Sequence, residues 1–163
     1  MATQTLPAET KSAVLRIRKI LAPLDFSPPS NKAFKYALRL AKEFGAELTL
    51  IHILDAAPSA FADVAASPAC AEEELSRAEH NLRALTRSAR VAGVIKARST
   101  FRSGLAAHEI VEAARELDVD LIVIATHGYT GWKHFCIGST AERVVRAAPC
   151  PVLVVREKEH DFV

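Results

Sequence analysis

Short apolar runs recur along the chain: Ile20 to Ala22, the stretch Glu47 to Leu54, Asp120 to Thr126, and Val152 to Val155. Each reads as a short strand, the Asp120 to Thr126 run as one buried on both faces. The stretches between them repeat at helical spacing instead. Phe34, Ala37, Leu38, Ala41 and Phe44 mark one face of a first helix, with Ser27 as N-cap, Pro28 at the first helical position and Gly45 as the stop. Leu75, Ala78, Leu82, Leu85 and Ala89 space 3, 4, 3 and 4 along a second, which Gly93 ends. That stripe suits packing on a sheet, and a partner helix would fit it as well. Ile110, Val111, Ala114 and Leu117 give a third helix from about Ala106 to Leu117. Ala141, Val144, Val145 and Ala148 give a fourth, stopped by Pro149 and Pro151. Ser139 with Glu142 three residues on fits a capping box at its start.

Two stretches break the rhythm. In Val94 to Phe101, Lys96, Arg98 and Thr100 alternate with Ala97, Ser99 and Phe101, which suits an exposed edge strand followed by a turn at Gly104. Asp55 to Cys70 is rich in Ala, carries Pro58 and Pro68 and has no clean period, so it reads as a long mobile connection, with a partly helical one as the alternative. Five strands alternating with four helices imply an α/β fold, a parallel sheet covered on both faces and, with right-handed crossovers, doubly wound.

Composition narrows the function. At 163 residues with half of them hydrophobic, the chain is most simply one domain with one sizeable core. We expect it to span residues 16–157, with a flexible tail over 1–15 and a frayed one over 158–163. Twenty-one Lys and Arg against 19 Asp and Glu leave a formal charge of +2, which gives no support to a nucleic-acid surface. No apolar run approaches the roughly 18 residues of a membrane span, and the N-terminus lacks the apolar core of a secretory signal. The three cysteines, Cys70, Cys136 and Cys150, have no paired spacing, which agrees with a reducing compartment; a cytoplasmic protein is the expectation. His127, His134 and Cys136 lack the second ligand pair that a zinc site uses.

The chemistry concentrates after the fourth strand. A loop from His127 to Gly138 bears Gly128, Gly131 and Gly138, and Ser139-Thr140 open the helix that follows. Glycine lets backbone approach a ligand closely. The free N–H groups and positive dipole end of a helix start favour an anion. Strand, Gly-bearing loop and helix start therefore outline a phosphate site, although the same glycines would serve as turn residues and Ser139 as a plain cap. The loop is neither a P-loop, since no Lys precedes Ser139, nor a GxGxxG fingerprint.

The spacing of this loop resembles the signature of nucleotide-binding members of the universal stress protein family: Gly, two residues, Gly, nine residues, then Gly-Ser or Gly-Thr. Gly128, nine residues and Gly138-Ser139 match it, and the first glycine falls on Ala125. That alanine is a departure: it is expected to add a methyl group beside the ligand and to disfavour positive φ. The resemblance runs from about Ile20 to Arg156. It implies an open five-stranded sheet of order 3-2-1-4-5, in which strands one and four are neighbours and the ligand binds outside their carboxyl ends.

The resemblance also implies site residues. Pro23 and Asp25 match the short motif after the first strand, where the carboxylate would hold the ribose; a turn role explains Asp25 equally well. Ile53 matches an apolar position beside adenine and would be core in either case. Ala125, Thr126, His127, Gly128, Tyr129, Thr130 and Gly131 would wrap the phosphates. Gly138, Ser139, Thr140 and Ala141 would complete the cradle. The implied ligand is ATP, alone or with Mg²⁺, and the implied assembly is a homodimer through the last strand, Val152 to Val155. No G-x-S-x-G elbow is present and the sequence locates no carboxylate pair or Ser/His/Asp set, so an enzyme is not expected. Three readings stand: an ATP-binding regulatory protein without efficient turnover, a nucleotide-free dimeric interaction module of the same family, and, more distantly, a nucleotide-dependent enzyme.

Overall fold

A computed structural model describes residues 16–55, 68–126 and 138–156. The described residues form nine elements in strict alternation: β1 (Lys19–Pro23), α1 (Pro28–Phe44), β2 (Glu47–Asp55), α2 (Pro68–Val91), β3 (Ala97–Gly104), α3 (Ala106–Leu117), β4 (Leu121–Ala125), α4 (Ser139–Ala147) and β5 (Val152–Val155). The strands make one sheet of order β3-β2-β1-β4-β5, and every pairing is parallel. The doubly wound fold and its strand order are thus those expected.

The period-two alternation of each strand builds two cores rather than one. Ile20, Ala22, Leu48, Leu50, Val123, Ala125 and Val155 face α1 and α2. Leu21, Ile51, Ile122 and Ile124 face α3 and α4. Ile20, Leu21, Ala22, Leu48, Leu50, Ile51, Ile122 and Val123, from both faces of the central strands, are fully excluded from solvent, so the middle of the sheet is the rigid frame.

Helix ends follow their sequence signals in most places. Ser27 caps α1, its Oγ accepting from the Ser30 N–H at 3.3 Å, and Pro28 is the first helical residue. Gly45 ends α1 at φ 62°, a left-handed conformation that glycine adopts without strain. Ala148 closes α4 with extended backbone, as a residue before proline must.

Several boundaries and faces differ from the sequence reading. The third strand begins at Ala97 rather than Val94, because the Val94 amide closes the end of α2 by donating to the Ala89 carbonyl. Of the expected mobile connection, Asp55 still belongs to β2 and Pro68 to Cys70 belong to α2, which a proline can open at its first turn, in keeping with the partly helical alternative; residues 56–67 lie outside the described residues. Phe44, the last residue of α1, is 39% exposed, and Leu75, in the first third of α2, is 37% exposed. Val145 is 47% exposed: Ala141 and Val144 fill the buried face of α4, and one residue further round the helix turns outward.

The β3 edge is held electrostatically. Arg102 reaches across to α3 and pairs with both Glu109, at 3.6 Å, and Glu116. The hydrogen bond from Arg102 holds the Glu116 carboxyl below its usual range of about 4.5. A depressed carboxylate contributes stability above its unfolded value and loses it as pH falls through the folded one. Glu116→Gln should therefore lower stability slightly at neutral pH and leave it unchanged in acid well below about pH 4.5, so that the acid limb flattens from the top, as chemical denaturation at several pH values would read.

Candidate functional site

The sheet opens where strand order reverses. β1 pairs with β4 only at Ile20↔Leu121 and Leu21↔Ile122, although β1 runs on to Pro23 and β4 to Ala125. Their outer neighbours stay paired to the end, Pro23 with Ile51 and Ala125 with Val155. The two central strands therefore part at their carboxyl ends, which is the crevice a doubly wound sheet offers to ligands.

One wall is the turn after β1. Leu24 is anchored by its amide to the Ile51 carbonyl at 2.8 Å. Asp25 Oδ1 accepts both the Ser27 amide at 3.0 Å and the Ser27 hydroxyl at 2.5 Å. The turn role expected for Asp25 is thus present. Asp25 is half-buried, and Pro23 is buried. Directly after Asp25, Phe26 has φ 62°, a conformation unusual for a bulky residue. Asn31 Nδ2 donates to the Phe26 carbonyl at 3.2 Å and helps hold that geometry. No sequence signal marks Phe26 for a left-handed backbone.

The other wall is the start of α4. The Gly138 amide donates to the Thr126 carbonyl at 2.7 Å, so the two ends of the Gly-bearing loop meet at the mouth of the crevice. His127, Gly128, Tyr129, Thr130 and Gly131 lie outside the described residues. Gly138, not Ser139, is the N-cap, with φ −59° and ψ 149°. The expected capping box consequently does not form. Ser139 is already helical and exposed, and Glu142 turns to pair with Arg146 at 2.8 Å. The first intrahelical bond runs from the Glu142 amide to the Gly138 carbonyl. The amides of Ser139, Thr140 and Ala141 precede it and have no partner within the helix. Three N–H groups, two hydroxyls and a helix dipole thus meet at one point, which fits the phosphates of a nucleotide.

Ala125 corrects an expectation. It is 8% exposed and packs in the α1-side core, with β5 alongside through Val155. Its methyl group points into the protein and not at the ligand space, and its backbone is ordinary strand without positive φ. Glycine is not required here by conformation, so the departure from the family pattern leaves the crevice unobstructed. Ala125→Gly should leave nucleotide affinity within about twofold and cost about 1 kcal/mol of stability through lost packing and strand entropy, as paired titration and urea unfolding would show.

The remaining positions sort by depth. Thr126 is 5% exposed and bonded through its amide to the Val155 carbonyl at 3.0 Å, so it is the floor of the site. Ala141 is buried beneath the first turn of α4. Ile53 is half-buried and packs against the α3-side core. The structure brings Pro23, Asp25, Thr126 and Gly138 to Ala141 together around the gap between β1 and β4. Sequence reasoning missed His52, whose ring contacts the β1 turn from the next strand.

Comparison with known proteins agrees with this geometry. Residues 16–156 match the model of the universal stress protein family. The chain is 37% identical over 145 residues to universal stress protein MJ0531 of Methanocaldococcus jannaschii, covering 88% of this chain and 85% of that one. Universal stress protein UspA from Lactobacillus plantarum superposes with a TM-score of 0.79 at 27% identity, over 87% of this chain and 99% of that one. A universal stress protein solved in complex with cAMP shares the fold with a TM-score of 0.68 at 20% identity, over 88% of this chain and 100% of that one. The chain belongs to the universal stress protein family.

Proposed function

We propose that the protein is an ATP-binding regulatory protein of the stress response, a nucleotide sensor without efficient turnover. The observation that supports it most is the parting of β1 and β4 beside the amides of Ser139, Thr140 and Ala141, which have no partner within the helix. The phosphates lie on those amides and on the two hydroxyls of Ser139 and Thr140, with Gly138 allowing close approach. Asp25 accepts ribose hydroxyls, since a carboxylate offers about four acceptor positions and can serve several donors at once. Ile53 supports the base from the apolar side. The complex of a relative with cAMP supports an adenine nucleotide, and the open helix start favours one with a phosphate chain.

The protein works in the cytoplasm as a homodimer. β3 carries Arg98 and Arg102, charges that guard an edge, whereas the other edge is the uncharged Val152-Leu153-Val154-Val155. A two-fold partner covers that edge with its own copy.

Mass spectrometry of nucleotide released from the purified protein tests the ligand. ATP or ADP at close to one per chain is expected, with turnover well below the order of 1 s⁻¹ typical of enzymes. Asp25→Ala should weaken ATP and adenosine alike, by roughly tenfold. Loss of ATP binding with adenosine binding intact would remove Asp25 from the ribose.

A further inference from the structure

His52 has no part in the readings above, yet it touches the site from outside. It sits near the carboxyl end of β2, on the α1 side of the sheet. Its Nδ1 lies 2.6 Å from the Leu24 carbonyl. A carbonyl only accepts, so Nδ1 carries the proton and donates. The ring lies against Phe26, with centroids 4.7 Å apart and planes 32° apart, and Phe101 of β3 meets it edge-on at 6.0 Å. Leu24 and Phe26 are the two neighbours of Asp25 in the chain, and Phe26 is the residue held at φ 62°. A left-handed bulky residue is costly and persists only where its surroundings fix it. The His52 ring does so on both sides of Asp25: it bonds the carbonyl before and packs on the side chain after.

We propose that His52 is the positioning residue of the nucleotide site, setting the Leu24–Ser27 turn so that the Asp25 carboxylate faces the crevice between β1 and β4. The proposal rests on the ribose role of Asp25 for its effect on ligand, and on the turn alone for its effect on the free protein. His52 touches no ligand and acts through Asp25. Its requirement is a donor at Nδ1, which an Asn side chain supplies from nearly the same place and Leu does not.

Two measurements test this. In the ligand-free protein, amide hydrogen exchange at Leu24 and Ser27 should quicken about tenfold in His52→Leu and return to within about threefold of wild type in His52→Asn. Unchanged exchange in His52→Leu overturns the proposal whether or not nucleotide binds. Calorimetry with adenosine then follows a double-mutant cycle. His52→Leu should weaken adenosine about tenfold in the wild-type background and have no further effect in Asp25→Ala. Equal losses in both backgrounds would mean that His52 only stabilises the fold and would also overturn the proposal. A wild-type protein that binds no adenosine would count against the nucleotide reading instead, and exchange would still decide the role of His52.

Discussion

Replacing Gly138 with Val is expected to abolish ATP binding while the fold survives. Gly138 has extended backbone, φ −59° and ψ 149°, which any residue can adopt. Conformation therefore does not explain the glycine, and close approach does. Valine would put branched bulk on the residue whose amide bonds the Thr126 carbonyl and which directly precedes the first amides of α4. At an N-cap, glycine and valine differ by no more than about 1 kcal/mol, small beside the 5–15 kcal/mol stability of an ordinary domain. Affinity should fall by about 100-fold or more, equivalent to roughly 2.7 kcal/mol, with the far-UV spectrum unchanged. Equal affinity in wild type and Gly138→Val would place the nucleotide elsewhere on the protein.

The second large effect is expected at β5. Its four residues do not offer equivalent positions. Val155 is 1% exposed and belongs to the α1-side core, while Leu153 is only half-buried against it. A lysine at Leu153 can lay its methylenes over α1 and hold its charge at the edge. In a two-fold dimer it would bring two such charges together, so Leu153→Lys should give folded monomer by sedimentation. A lysine at Val155 has no such exit. An uncompensated buried charge costs about 3–5 kcal/mol, enough to remove much of a small domain's stability. Val155→Lys should be insoluble or unfolded, and combining the two changes would report on the core rather than on assembly. A wild-type monomer at micromolar concentration would contradict the homodimer.

Most of the fold was legible because apolar runs and helical spacing alternate so regularly. Ala106–Leu117 and Val152–Val155 emerge with the ends the spacing gives them. Caps were legible where one residue type dominates, as with Ser27, Pro28 and Gly45. The start of α4 was harder. Ser139 and Glu142 have capping-box spacing, but the bond from Gly138 to Thr126 sets the entry of the chain one residue earlier. That tertiary bond leaves the Ser139 hydroxyl exposed, to the benefit of an anion site. The place of the candidate site was legible from topology and the Gly-Ser pair. The orientation of Ala125 was not, since period-two alternation assigns a face only once the sheet and its covering helices are known. The same holds for His52, which in sequence is one more residue of a strand. Its contact with Leu24 depends on β1 and β2 lying side by side.

Titration calorimetry of the wild-type protein with ATP, with and without Mg²⁺, tests the central claim most directly. The account predicts a saturable heat with one nucleotide per chain, accompanied by a rise in melting temperature at excess ligand. Absence of both heat and thermal shift at millimolar ATP in either condition would contradict it, and would leave the nucleotide-free dimeric interaction module as the reading of this chain.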